Sequence, residues 1–436
     1  MASSQTIQSN PIPRRRWGIA ALLGLGILIS YFDRINLSVS KQALTDAFQI
    51  SPFVFGILSS TYNIPYAILQ LPCGMLLDRF GVRRVGIISS MVWTIASFAA
   101  AFSLGVRSMF GARILLGIGE APTFPGTSKA TGYWFPKHER SLATAMFDSM
   151  AKFSSAVGAP LLGLVLVYFG WRANFALTGV FSVFFFLLFY AFYRNPSQDT
   201  KLTQAEREHI RLGGAQPEDP ARAAQGAPLK YLITRKKVIG LAIGYGSYNY
   251  IFYLLLTWLP AFLGEEFHLD LKSSVWYTSI PWLCATVAEL AVGGWLVDSL
   301  IQRGWNASRV RQIVLVGGTC VGLCIFGVPT ARTVQSAVIW LAVTATGVSI
   351  AAPVGWSAPS LIAPRESVGT VGGIMNLSNQ LSGIAAPIVT GYIVQKSGHY
   401  QWAFLVAAIY LTIGILSYIF LLGEITPIPE PEEARR

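Results

Sequence analysis

Charge is what this chain has least of. Only 12% of its 436 residues are Asp, Glu, Lys or Arg, about half the share of an ordinary soluble domain, which excludes a water-facing globular protein. Cysteine is scarce as well: Cys73, Cys284, Cys320 and Cys324 all fall in apolar segments, so they read as small buried hydrophobes and not as a disulfide framework. Cys320 and Cys324 share a helix face, but no histidine or carboxylate stands near them in sequence; no metal site is expected. No Ser-His-Asp set, His-rich run or Gly-rich phosphate loop occurs near a membrane surface, which argues against a membrane enzyme. Extended polar sequence is missing except at residues 194–237, a charged stretch with four prolines that can neither span lipid nor build much of a core.

What remains is apolar. Hydrophobic residues make up 53% of the chain, and runs of about 20, the length that crosses a hydrocarbon core as helix, recur throughout. Six begin near Trp17, Phe53, Arg84, Val106, Ser141 and Arg172, and six more near Val238, Ser273, Gln312, Val334, Ser367 and Gln401. The net charge of +12 comes from basic clusters in alternate short connections, such as Arg14-Arg15-Arg16, Arg79/Arg83/Arg84, Lys137/Arg140 and Arg235-Lys236-Lys237. This positive-inside pattern puts both termini and the central loop in the cytoplasm. Aromatic-basic interleaving is absent, so no nucleic acid is expected as a partner. The polar tail before Arg14 lacks the layout of a cleavable signal, so the first helix is expected to stay.

Six plus six suggests a repeat, and two echoes support it. "GMLLD" at 74–78 matches "GWLVD" at 294–298, and "GAPLLG" at 158–163 matches "AAPIVTG" at 385–391, in the same order and orientation. Parallel six-helix repeats meeting at a midplane site are the plan of one transporter class. The expected fold is therefore an all-α membrane protein of twelve transmembrane helices in two pseudo-symmetric six-helix bundles, 17–194 and 238–423. A tail at 1–16, a central loop at 195–237 and a tail at 424–436 would be cytoplasmic. Within the loop, "LTQAEREHI" is helix-like and suited to lie on the membrane surface; the Gly-Ala-Pro-rich remainder should be mobile.

Three strings carry the chemistry. "GMLLDRFGVRR" at 74–84 resembles the signature loop between helices 2 and 3 of the Major Facilitator Superfamily. Gly74 would let helices approach, and Asp78, with Arg79, Arg83 and the echo Asp298, would gate the cytoplasmic side by contacts across the bundle. "RILLGIGEA" at 113–121 is similar to the fourth-helix motif of proton-driven members. Arg113 and Glu120 stand two turns apart on one face, and an intramembrane charge costs roughly 2.5–3.5 kcal/mol even on lenient scales, so the pair should line a cavity or staple helices. "YFDRINLSV", "GIGEAPTFPG" and "TWLPAFL" narrow the resemblance to the anion:cation symporter family, nearest the bacterial galactonate, glucarate and hexuronate permeases, over nearly the whole chain.

That resemblance implies roles. Asp33 and Glu120 match the family's proton-titrating carboxylates, Arg34 its substrate-facing arginine, and Tyr31, Tyr66, Arg113 and Asn376 fall at cavity positions. From the residues alone, Asp33 beside Arg34 can trade partners with Arg113, and a guanidinium can grip a carboxylate with two hydrogen bonds. Tyr62, Tyr66 and Gln70 form a polar stripe, as do Asn376, Asn379 and Gln380; packing between helices explains such stripes as readily as ligand contact. Two places depart from the family pattern: Lys152 follows Ala151 on the fifth helix, and "APVGWSAP" around Trp356 lacks a preceding hydroxyl. Either Lys152 balances Asp148 four residues earlier, or it reaches the cavity and meets a second negative group or an oxygen-rich end of the substrate. Glu289 is a third buried-looking charge without a family role.

The expectation is a proton-coupled symporter that imports a small organic carboxylate by rocker-switch alternating access across the bacterial inner membrane. A sugar acid (aldonate, aldarate or hexuronate) is the first choice, and a di- or aromatic carboxylate such as phthalate or tartrate the second. Its partners would be the substrate, protons and the lipid bilayer; a monomer is expected, and no cofactor beyond the co-transported proton. Moving one charge against 100 mV costs about 2.3 kcal/mol, so an anion needs more than one proton, and two carboxylates offer two seats. A membrane sensor is the remaining alternative, for which the short tail after Gly423 offers no output domain.

Overall fold

The apolar segments fold as helices, and the chain's helix breakers decide where each one stops. The computed structural model describes residues 13–136, 139–215, 218, 227–364 and 367–431, and of Leu71, Asp78, Ser141 and Ala145 the backbone alone. Twelve helical crossings follow one another, and the described residues contain no strand. The first is α1, Arg15–Val39, whose 25 residues span roughly 37 Å at about 1.5 Å each. Gly81 (φ 77°) divides α2 (52–80) from α3 (82–101), and Gly170 (φ 79°) divides α5 (140–169) from α6 (171–192). Both glycines adopt the left-handed conformation that a Cβ disfavours. Between them lies α4 (106–134). The second half comprises α7 (Lys236–Glu266), α8 (Leu271–Gln302), α9 (Ala307–Thr330), α10 (Val334–Ile362), α11 (Val368–Ser397) and α12 (Gln401–Leu422).

Eight helical segments are long and apolar enough to cross a membrane, and one of them, 142–192, covers two crossings. The three crossings that miss this test are α2, α4 and α11. Helix α2 is interrupted at Tyr62, α4 at Ala121-Pro122 directly after Glu120, and α11 carries Asn376, Asn379 and Gln380. A further irregularity, a π-helical stretch of the kind often found at functional positions, begins at Glu289 in α8. Large apolar side chains such as Ile68, Phe184, Trp295, Ile313 and Phe420 face outward, a surface suited to lipid and not to water.

The first six crossings pack on one another, as do the last six, with α1 and α7 buried along most of their length. The two bundles meet through α2 on α11, α5 on α8 and α1 on α7, toward the face away from the termini. A Cβ on Gly56 would stand 2.4 Å from the Pro387 carbonyl oxygen, and one on Gly391 would stand 2.4 Å from that of Pro52, so glycine permits these backbones to touch. Ser38 donates to the Thr257 carbonyl at 2.7 Å and Asn63 to that of Gly383 at 2.9 Å, while Lys41 pairs with Glu265. Nearer the termini, a Cβ on Gly74 would meet nothing within 4 Å. The expected close helix approach at Gly74 is thus not made, because in this conformation no helix of the other bundle reaches it.

The central loop departs from a free surface helix. Its helix, Gln204–Leu212, docks under the first bundle with Glu206 and Ile210 buried. Glu206 accepts from Arg16 at 3.0 Å, Arg16 also binds Glu139 at 2.6 Å, and Arg15 binds Asp199 at 2.9 Å. The Arg16 hydrogen bond holds the Glu139 carboxyl below its ordinary value. Residues 216, 217 and 219–226 of the expected mobile remainder lie outside the described residues.

Candidate functional site

Helix geometry separates what the sequence writes side by side. Consecutive residues point about 100° apart on a helix, so Asp33 and Arg34 leave α1 in different directions. Asp33 faces α3, where its carboxylate accepts from Trp93 Nε1 at 2.6 Å and Ser97 Oγ at 3.0 Å. Arg34 turns with Tyr31 toward the space between the bundles. The expected exchange of partners between Asp33 and Arg113 is not set up here: Arg113 donates to the backbone oxygen of Asp33 at 3.2 Å, and its guanidinium lies 5.3 Å from the Tyr62 ring centre.

The acid that Arg34 does meet is Glu120. The guanidinium donates to Glu120 Oε2 at 3.1 Å and to the Tyr62 hydroxyl at 2.5 Å, and that hydroxyl donates to the same Glu120 oxygen at 2.7 Å. The rings of Tyr31, Tyr62 and Tyr66 lie 4.2, 4.7 and 5.7 Å from the guanidinium carbon, within cation–π range. The break in α2 at Tyr62 and the end of the regular helix at Glu120 place these groups. Arg34 Nε and Glu120 Oε1 are both buried without a hydrogen-bond partner among the described residues; a buried group in that state is destabilising until something binds it.

Tyr31, Arg34 and Tyr66 share one cavity with Lys152, Trp356, Asn376 and Gln380, so all seven expected substrate-binding residues face a common space. Asn376 donates to Gln70 Oε1 across the bundles at 3.0 Å, and Gln380 Oε1 is buried without a partner among the described residues. Lys152 does balance Asp148, and it also reaches the cavity. Its ammonium lies 3.1 Å from Asp148 on its own helix and 3.0 Å from Glu289 of the other bundle, and it lines the cavity. Glu289 has no role that the sequence alone assigns, and neither has the α7 face that contributes Tyr245, Tyr248 and Phe252 to the wall. Their spacing of three and seven residues, in "YGSYNYIF", was the available signal.

A sequence profile of the Major Facilitator Superfamily matches residues 23–387, and again 313–436. The chain belongs to that superfamily. Among its relatives, an uncharacterized Bacillus subtilis transporter, YybO, is 38% identical over 95% of both chains. The Escherichia coli D-galactonate transporter is 30% identical over 94% of this chain and 96% of its own. The crystal structure of a D-xylose-proton symporter superposes with a TM-score of 0.71 at 16% identity, covering 95% of this chain and 98% of that one. This superfamily chain is therefore a membrane transporter and not an enzyme.

The superfamily's signature loop sits on the open face. Arg79 and Asp298 are exposed, and Arg83 lines a crevice with Asn195 and Gln198 at the start of the central loop. None of these three bridges the bundles among the described residues, and the Asp78 side chain lies outside them.

Proposed function

We propose that this transporter is a proton-coupled symporter that brings a small organic anion, foremost a sugar acid, into bacteria across the inner membrane by rocker-switch alternating access, its termini in the cytoplasm. The observation that carries this reading is the Arg34–Tyr62–Glu120 cluster, in which the cavity-lining Arg34 is held from behind by a buried carboxylate. A substrate carboxylate bound by Arg34 competes with Glu120 for the same guanidinium. Once displaced, Glu120 is a buried carboxylate without a cation, a state that favours taking up a proton. Substrate and proton then load together. Asp33, held by the neutral donors Trp93 and Ser97, is the second seat, which gives a monoanion net inward charge.

Likeness to the D-galactonate transporter and the hydroxyl-rich wall of Tyr31, Tyr66 and Tyr248 beside Asn376 support a polyhydroxy acid. Contact between the bundles on the face away from the termini, with positive-inside charge on the other, corresponds to a carrier open to the cytoplasm. The test is uptake of labelled galactonate and related acids into proteoliposomes under an imposed inward pH gradient. Accumulation above the external concentration supports the reading. Mere equilibration would make the protein a uniporter.

A further inference from the structure

The cavity has a second cation, and it is held as the first one is. Lys152 stands between Asp148, one turn back on α5, and Glu289 on α8 of the other bundle. All three side chains are buried, Lys152 and Glu289 almost completely. One ammonium faces two carboxylates, and Glu289 Oε2 receives no well-aligned hydrogen bond among the described residues. The two carboxylates also face each other beside the ammonium. Helix α7 brings Tyr245, Tyr248 and Phe252, and α10, which packs on α8, has no titratable side chain in its whole length. Arg34 is opposed by Glu120 from α4; Lys152 is opposed by Glu289 from α8. Asp148 remains a local partner of Lys152 either way.

We propose that Lys152 is a second anion anchor and that the substrate is a dianion, one negative end displacing Glu120 from Arg34 and the other displacing Glu289 from Lys152. Each displaced carboxylate takes one proton from solvent, COO⁻ becoming COOH, so the second anchor adds one proton to those that accompany a monoanion. Displacement of Glu289 also unties an ion pair that joins the bundles beside the cavity, which frees them to rock once both ends are seated. The proposal rests on the proton-coupled reading of Glu120, and its test separates the two.

Purified full-length protein in weakly buffered detergent, with a pH-indicating dye, is titrated with matched pairs that differ at one end: galactonate and galactarate, gluconate and glucarate, benzoate and phthalate, acetate and sulfoacetate. The tightest ligand should be the dianion of its pair, by about tenfold or more, as befits one extra charge-assisted contact. It should take up one proton per protein more than its monoanion. Lys152→Gln should erase the preference. Glu289→Gln, which keeps the ammonium and removes its competitor, should bind the dianion at least as tightly with one proton fewer. A monoanion as tightest ligand, or dianion binding weakened by Glu289→Gln, overturns the second anchor while leaving Glu120 coupling intact. Binding of either kind without any proton uptake, or no binding across the panel, overturns the underlying reading together with it.

Discussion

Replacing Glu120 by Gln should uncouple the transporter without closing its site. The carboxylate accepts from Arg34 at 3.1 Å and from Tyr62 at 2.7 Å; a glutamine carbonyl keeps an acceptor there but neither competes as a charge nor carries a proton. Each co-transported proton converts a one-unit pH gradient into about 1.4 kcal/mol, an accumulation ratio of roughly ten. A carrier that lacks the Glu120 proton forfeits that factor. Affinity should change character too. In the wild type, raising the pH ionises Glu120, which recaptures Arg34, so binding weakens by up to about tenfold per pH unit; in Glu120→Gln the dependence should be shallower by that contribution. The assay is paired: labelled acid accumulating in proteoliposomes under a pH gradient, and exchange of labelled for unlabelled acid without one. Exchange should persist in the variant, and accumulation should fall by about tenfold per unit of pH gradient, to what the Asp33 proton alone supports. Undiminished accumulation by Glu120→Gln would refute the reasoning and shift coupling to Asp33, whereas loss of exchange in a folded protein would make Glu120 a binding group.

Arg34→Lys should weaken substrate binding by roughly ten- to a hundredfold although charge is kept, since an ammonium cannot give the planar two-point grip; unchanged affinity by titration calorimetry would reduce Arg34 to a partner of Glu120. Gly391→Val should hold the bundles apart on the face away from the termini, because its Cβ would stand 2.4 Å from the Pro52 carbonyl and overpacking costs about 1–3 kcal/mol. Alkylation of a cysteine placed at Ser59, in a chain otherwise free of cysteine, should then speed up from that face. Glu139→Gln should remove a pH-dependent part of stability. The wild-type carboxyl is held below its ordinary value by Arg16, so its contribution is present at neutral pH and is lost as pH falls through the depressed value; the difference in melting temperature between the two proteins should shrink in acid.

Much of this architecture is legible in residue order. Apolar runs and the paired "GMLLD" and "GWLVD" strings lead to two six-helix halves, and the crossings that fall short of simple hydropathy, α2, α4 and α11, do so because Tyr62, Arg113, Glu120, Asn376 and Gln380 interrupt or dilute them. Partnerships are less legible than positions. Asp33 and Arg34 read as a pair because they are adjacent, yet helical rotation gives the first to Trp93 and the second to Glu120. Lys152 and Glu289 meet across 137 positions, a distance over which no local pattern operates. Gly74 shows a different limit: the close approach its size would permit is not made in this conformation, and sequence does not select the conformation.

The central claim is that anion and proton exchange places on Arg34, so the most direct measurement drives protons with substrate alone. Proteoliposomes loaded with a pH-sensitive dye, at equal pH inside and out and with no membrane potential, are given an inward gradient of the acid identified by binding. The lumen should acidify as labelled acid moves in, and Glu120→Gln should carry one proton fewer with each anion. Influx of the acid at an unchanged internal pH would contradict the claim.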